Sequence, residues 1–150
     1  VCGSMAALCE GEVLQDECAA ERSMTRRTYL DIIYKKTASL LGVSASAGAL
    51  AVGATRDKVA TMRRFGEAVG MAFQIQDDIL DVVGDEATLG KPIGSDVRSD
   101  KTTFVALKGL ADCRILVAEL TDRAVEALAP FGSEAESLRG LAQSLAGREK

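Results

Sequence analysis

Apolar and small residues recur at three- and four-residue intervals over most of the chain, and the runs break at serine, threonine, glycine and proline. Leu8, Gly11, Leu14 and Gln15 keep helical spacing in a first helix predicted from about Gly3 to Glu21. Glu12 and Gln15 are spaced to hydrogen-bond a neighbouring helix, but an ordinary amphipathic helix explains them more simply. A second helix starts at a Ser23 or Thr25 cap and runs to about Leu41, with Tyr29, Ile32, Ile33 and Leu40 as its apolar stripe. Residues 43–54 are small throughout and suit a tightly packed helix or helix pair.

The longest run extends from about Arg56 to about Val83, contains no proline, and carries Gly66 and Gly70 four residues apart. At about 100° per residue, Asp77 lies on the line of Val59, with Gly66, Gly70 and Phe73 close by. Gln74 and Asp81 fall within a quarter-turn of that line, and Asp78 at its margin. From Val69 onward the run is apolar nearly all round, which predicts a buried central helix. Carboxylates on the inward side of such a helix are costly unless paired with cations or a metal. Asp77, Asp78 and Asp81 therefore form a candidate site, against the plainer reading of a solvated acidic face. Hard oxygen ligands in a chain without histidine suit Mg2+, which Asp77 and Asp81, one turn apart, can share.

Basic residues point to the same chemistry. Lys36 falls in the middle of the second helix's apolar stripe, where snorkelling to solvent is awkward and a bound anion would resolve the conflict; Thr37 adds a hydroxyl. The stretch from Gly84 to about Asp100 is a long connection with Gly84, Gly90, Pro92 and Gly94. It carries Lys91 and Asp96, and Lys101 heads the next helix behind a Ser99 or Asp100 cap. Lysines at a helix N-terminus suit a diphosphate-binding loop. Segments to Leu110 and from Asp112 to Leu128 read as scaffold helices, Pro130 and Gly132 break the pattern, and a last helix spans roughly Glu134 to Leu145. Arg148 and Lys150 form a basic tail with no assigned role.

Composition narrows the class. A chain of 150 residues is one domain's worth, and 47% hydrophobic with 4% aromatic residues implies a core of alanine, leucine, valine and methionine. Two prolines and abundant helix formers predict an all-α protein. A net charge of −4 without a basic tract argues against nucleic acid. Cys2, Cys9, Cys18 and Cys113 show no C-x-x-C pairing and are expected to be buried thiols of a reducing compartment. No apolar run reaches membrane-spanning length and nothing resembles a signal peptide, so a soluble, cytoplasmic protein is expected. Val1 is already in helical periodicity, which reads as the interior of a longer sequence.

Taken together, Gly11-Glu12-x-x-Gln15, Lys36-Thr37-Ala38, Phe73-Gln74-x-x-Asp77-Asp78-x-x-Asp81, Gly90-Lys91, Asp96 and Lys101-Thr102 resemble, in order and spacing, the trans-isoprenyl diphosphate synthases. The likeness is to farnesyl- and geranylgeranyl-type enzymes. It implies the all-α isoprenoid synthase fold, a homodimer, and Mg2+-dependent head-to-tail condensation of an allylic diphosphate with isopentenyl diphosphate through an allylic carbocation. It implies that Asp77 leads a metal site supported by Asp78 and Asp81, with Asp96 acting through metal-bound water. Lys36, Lys91 and Lys101 would hold the allylic diphosphate, the oxygens of Thr37 and Gln74 would face the cation, and Phe73 would lie near the isopentenyl substrate. The family's first Asp-rich motif and the arginines that grip isopentenyl diphosphate have no match here. The resemblance thus covers the C-terminal half of one domain over residues 1–150, and no turnover is expected of this half alone. Two other readings are a non-catalytic partner subunit of a complete synthase and a terpene cyclase of the same fold.

Overall fold

A computed structural model describes residues 2–89 and 103–148, without the side chains of 84–89. These residues are almost wholly helical and include no strand. The order is α1 (Cys2–Glu21), α2 (Arg26–Ile33), a π-helical stretch (Tyr34–Ala38), α3 (Ser39–Ala51), α4 (Arg56–Leu89), α5 (Phe104–Lys108), α6 (Leu110–Ala127), a 3-10 turn (Ala129–Ala135) and α7 (Glu136–Ala146). Thr25 caps α2, its hydroxyl accepting from the Thr28 amide at 3.2 Å. The segments read as a second helix and a small-residue run form one helical rod, continuous from α2 through the π stretch into α3.

Helix α4 is the central helix that its apolar sequence predicts, packed chiefly between α3 and α6. Its glycines let the π stretch and α3 approach. A Cβ on Gly66 would stand 2.5 Å from the Leu41 carbonyl oxygen, and one on Gly70 would stand 2.6 Å from Ala38 Cα. The opposite side of α4 builds the core, in two clusters. Ala72, Ile75 and Ile79 meet Tyr29, Ile33, Phe104, Cys113 and Val117. Phe65 and Val69 meet Ala124, Leu128, Ala135 and Ala142.

Helix α1 buries only Ser4, Gly11 and Cys18, a line of small residues seven apart. Two of the four thiols depart from expectation: Cys18 and Cys113 are buried, but Cys2 and Cys9 are exposed. Among the described residues, no helix is long and apolar enough to cross a membrane.

Candidate active site

The face of α4 that carries Gly66 and Gly70 is covered by α3, and the same face opens where the rod widens into its π stretch. There Phe73, Gln74 and Asp77 are part-exposed and Asp81 is exposed. π turns of this kind arise where helical regularity yields to local demands, often at functional sites. Here the stretch contains Lys36 and Thr37. The Thr37 hydroxyl donates to Gln74 Oε1 at 3.1 Å, joining the π stretch to α4 and bringing together the two oxygens singled out by the sequence.

Lys36 is held from the other side. Its ammonium donates to Glu12 Oε2 at 2.9 Å and Gln15 Oε1 at 2.7 Å, so the two polar residues of α1 act on this lysine. Gly11 makes the approach possible, because a Cβ there would lie 2.7 Å from Lys36 Cγ. The side chain is 24% exposed, and an acidic and an amide partner meet its charge.

The three aspartates divide differently from the sequence expectation. Asp77, expected inward, has a side chain 46% exposed. Asp78, expected at the margin, is the buried one. Its Oδ2 accepts the Tyr29 hydroxyl at 2.6 Å and the Phe104 backbone amide at 2.7 Å. The physical reason lies in which face the core takes. The line through Ile75 and Ile79 packs inward, and Asp78 flanks it, whereas Asp77 lies on the far side with the glycines. Burial pushes the Asp78 carboxyl above its ordinary value, and its two hydrogen bonds pull the other way. Burial, followed by the neighbouring Asp78 charge, pushes the Tyr29 phenol upward. Tyr29 was legible only as part of an apolar stripe; a buried phenol that needs a partner was the available signal.

Arg148 was not assigned from sequence at all. Its guanidinium lies 4.1 Å from the Phe73 ring centroid and donates to Asp77 Oδ1 at 2.5 Å. Gln76 Nε2 donates to the Arg148 carbonyl at 2.9 Å. No local pattern encodes a contact across 71 residues.

Lys91, Asp96 and Lys101, with the proposed Ser99 or Asp100 cap, lie outside the described residues. The helix that follows begins at Phe104 and is capped by Thr103, whose hydroxyl accepts from the Ala106 amide. The Asp78–Phe104 bond therefore fixes the point at which the chain returns to α4.

Asp77 and Asp81 offer carboxylate oxygens on the open face of one helix, one turn apart. Among the described residues no three acidic or thiol groups converge as a ready-made metal cage. That donor set fits Mg2+, which uses one or two carboxylates and takes its remaining ligands from water and substrate phosphate.

Comparison with known proteins identifies the family. Residues 2–129 match the polyprenyl synthetase family. A short chain isoprenyl diphosphate synthase of Methanothermobacter thermautotrophicus is 41% identical over 73% of this chain and 34% of its own length. A farnesyl diphosphate synthase of Escherichia coli is 36% identical over 97% of this chain and 50% of its own. The crystal structure of a polyprenyl synthase from Caulobacter crescentus, complexed with calcium and isoprenyl diphosphate, superposes with a TM-score of 0.84. It is 28% identical and covers 99% of this chain, which covers 58% of it. The fold is the all-α fold of the isoprenyl diphosphate synthases. The chain belongs to the polyprenyl synthetase family. It spans about a third to a half of the length of these two curated relatives.

Proposed function

We propose that this chain is the C-terminal part of a single all-α prenyltransferase domain that condenses an allylic diphosphate with isopentenyl diphosphate. The observation that carries the reading is the open face of α4, where Asp77 and Asp81 stand beside Gln74 and its Thr37 partner, in a member of this family. The Caulobacter relative, with its calcium and isoprenyl diphosphate, supports a divalent cation and a prenyl diphosphate as the ligands.

Asp77 and Asp81 would hold Mg2+. When bound, the ion would supply positive charge that stabilises a departing diphosphate. Lys36 adds a fixed ammonium, oriented by Glu12 and Gln15, to the same anion. Lys91 and Lys101 are assigned to the diphosphate and Asp96 to a metal-bound water, as the motif order implies. By the same motif order, the oxygens of Thr37 and Gln74 would face the allylic cation, and Phe73 would lie near the isopentenyl substrate. Asp78, with one oxygen committed to Tyr29 and Phe104, supports the site by holding α4 in place.

The same reading makes the whole protein a homodimer of the cytoplasm; the buried, unpaired Cys18 and Cys113 suit a reducing compartment.

The test is a condensation assay with an allylic diphosphate, labelled isopentenyl diphosphate and Mg2+, run on this chain and on the longest reading frame that contains it. The longer protein is expected to form prenyl diphosphate and to lose activity on chelation, while this chain alone is expected to be inactive. Absence of product from both would overturn the reading.

A further inference from the structure

Arg148 holds Oδ1 of Asp77, a carboxylate oxygen assigned above to a cation. Four links hold the arginine there, one of them a long 3.4 Å hydrogen bond from its Nη2 to the Phe73 carbonyl. Its guanidinium covers the Phe73 ring at 4.1 Å, its Nη2 donates to Asp77 Oδ1, and its backbone carbonyl accepts from Gln76. The anchoring residues Phe73, Gln76 and Asp77 lie within five consecutive residues of α4. A guanidinium is a planar cation suited both to a carboxylate and to an aromatic face, so it satisfies Asp77 without a metal. The arrangement is also incomplete. Arg148 Nε is buried and has no hydrogen-bond partner among the described residues. An unsatisfied buried donor weakens the closed position, leaving a contact that a better ligand for Asp77 can displace.

From this we infer that Arg148 is an internal competitor for the divalent cation: in the metal-free protein it occupies Asp77, and cation binding expels it from that carboxylate. The inference rests on Asp77 being a metal ligand, as proposed above. A cation at Asp77 and the Arg148 guanidinium are both positive and claim the same carboxylate, so the two states exclude each other. Apparent metal affinity is then reduced by the fraction of molecules in which Arg148 is closed. A part-exposed ion pair with a stacked ring holds that closed state by a modest factor, so freeing Asp77 should tighten Mg2+ binding about three- to tenfold.

The experiment has two readouts on the full chain, neither of which needs turnover. In the first, Mg2+ affinity is measured by calorimetry for wild type, Arg148→Ala, Arg148→Lys and Asp77→Asn. Arg148→Ala should bind about three- to tenfold more tightly. Arg148→Lys should also tighten, since lysine keeps the charge but loses the planar stack and fork. Alanine and lysine variants that both bind Mg2+ no more tightly than wild type would overturn the inference. In the second, NMR follows the Arg148 δ-methylene protons, which the Phe73 ring should shift upfield without metal. Saturating Mg2+ should abolish that shift in wild type and leave it unchanged in Asp77→Asn. If Arg148 stays stacked at saturating Mg2+, the inference fails. If Asp77→Asn binds Mg2+ as wild type does, the assignment of Asp77 as ligand fails, and this inference with it. If Asp77→Asn weakens binding while Arg148→Ala leaves it unchanged, the metal assignment stands and only the competition is rejected.

Discussion

Tyr29 and Asp78 share a 2.6 Å hydrogen bond inside the bundle, although 49 residues separate them. The same carboxylate oxygen receives the Phe104 amide, so one buried side chain ties α2, α4 and α5 together beside the candidate metal ligands. Asp78→Ala strands a phenol and a backbone amide and is expected to cost about 2–4 kcal/mol. Asp78→Asn keeps an acceptor oxygen and should stay within about 1 kcal/mol of wild type. Urea denaturation of both variants checks this; a loss for Asp78→Ala as small as that expected of Asp78→Asn would show that the two hydrogen bonds contribute little.

The same residue gives a pH dependence with a definite sign. Burial raises the folded-state carboxyl of Asp78 above its ordinary value of 3.8. The folded state therefore holds this proton more tightly than the unfolded chain. Stability from this group is fully present below about pH 4 and is lost as pH rises through the raised value. Asn does not titrate, so the stability of Asp78→Asn relative to wild type should improve as pH is raised from about 4. A pH-independent difference in urea midpoint would contradict the assigned cause.

Asp77 separates stability from chemistry. Its side chain is half-exposed, and its described partner is Arg148. Asp77→Ala in the complete protein should cut turnover by about two orders of magnitude or more. Its melting temperature should hardly change, because removing a part-exposed ion pair costs only about 0–1 kcal/mol. Wild-type-like turnover would remove Asp77 from the site.

Gly70 tests the close approach of the π stretch to α4. A Cβ there would stand 2.6 Å from Ala38 Cα, a backbone atom that cannot swing aside. Gly70→Ala should destabilise by about 1–3 kcal/mol, against the slight gain expected for alanine at an open helical position. Thermal melts of Gly70→Ala and Gly48→Ala compare the two cases, since nothing lies near a Cβ on Gly48.

Lys36→Met keeps the stem that packs against Gly11 and removes the charge. Because Lys36 is part-exposed and its partner Glu12 is exposed, folding should be little affected. In the complete protein the KM for the allylic diphosphate should rise at least about tenfold, the loss expected for one charge-assisted contact. Unchanged KM would detach Lys36 from the substrate.

Periodicity and composition determined the all-α architecture, the central helix and the placing of Gly66 and Gly70 on one face of it, because helical spacing is local and leaves a repeating trace in the chain. The motifs also marked Lys36, Thr37, Gln74 and Asp77 as candidate site residues. Tertiary structure decided the rest: that the core claims Asp78 and leaves Asp77 on the open face, that Glu12 and Gln15 hold Lys36, and that Arg148 lies on Phe73. A carboxylate's burial depends on which neighbouring helix covers its face, and a long-range ion pair depends on where two distant segments meet. Neither is written in the residues adjacent to it.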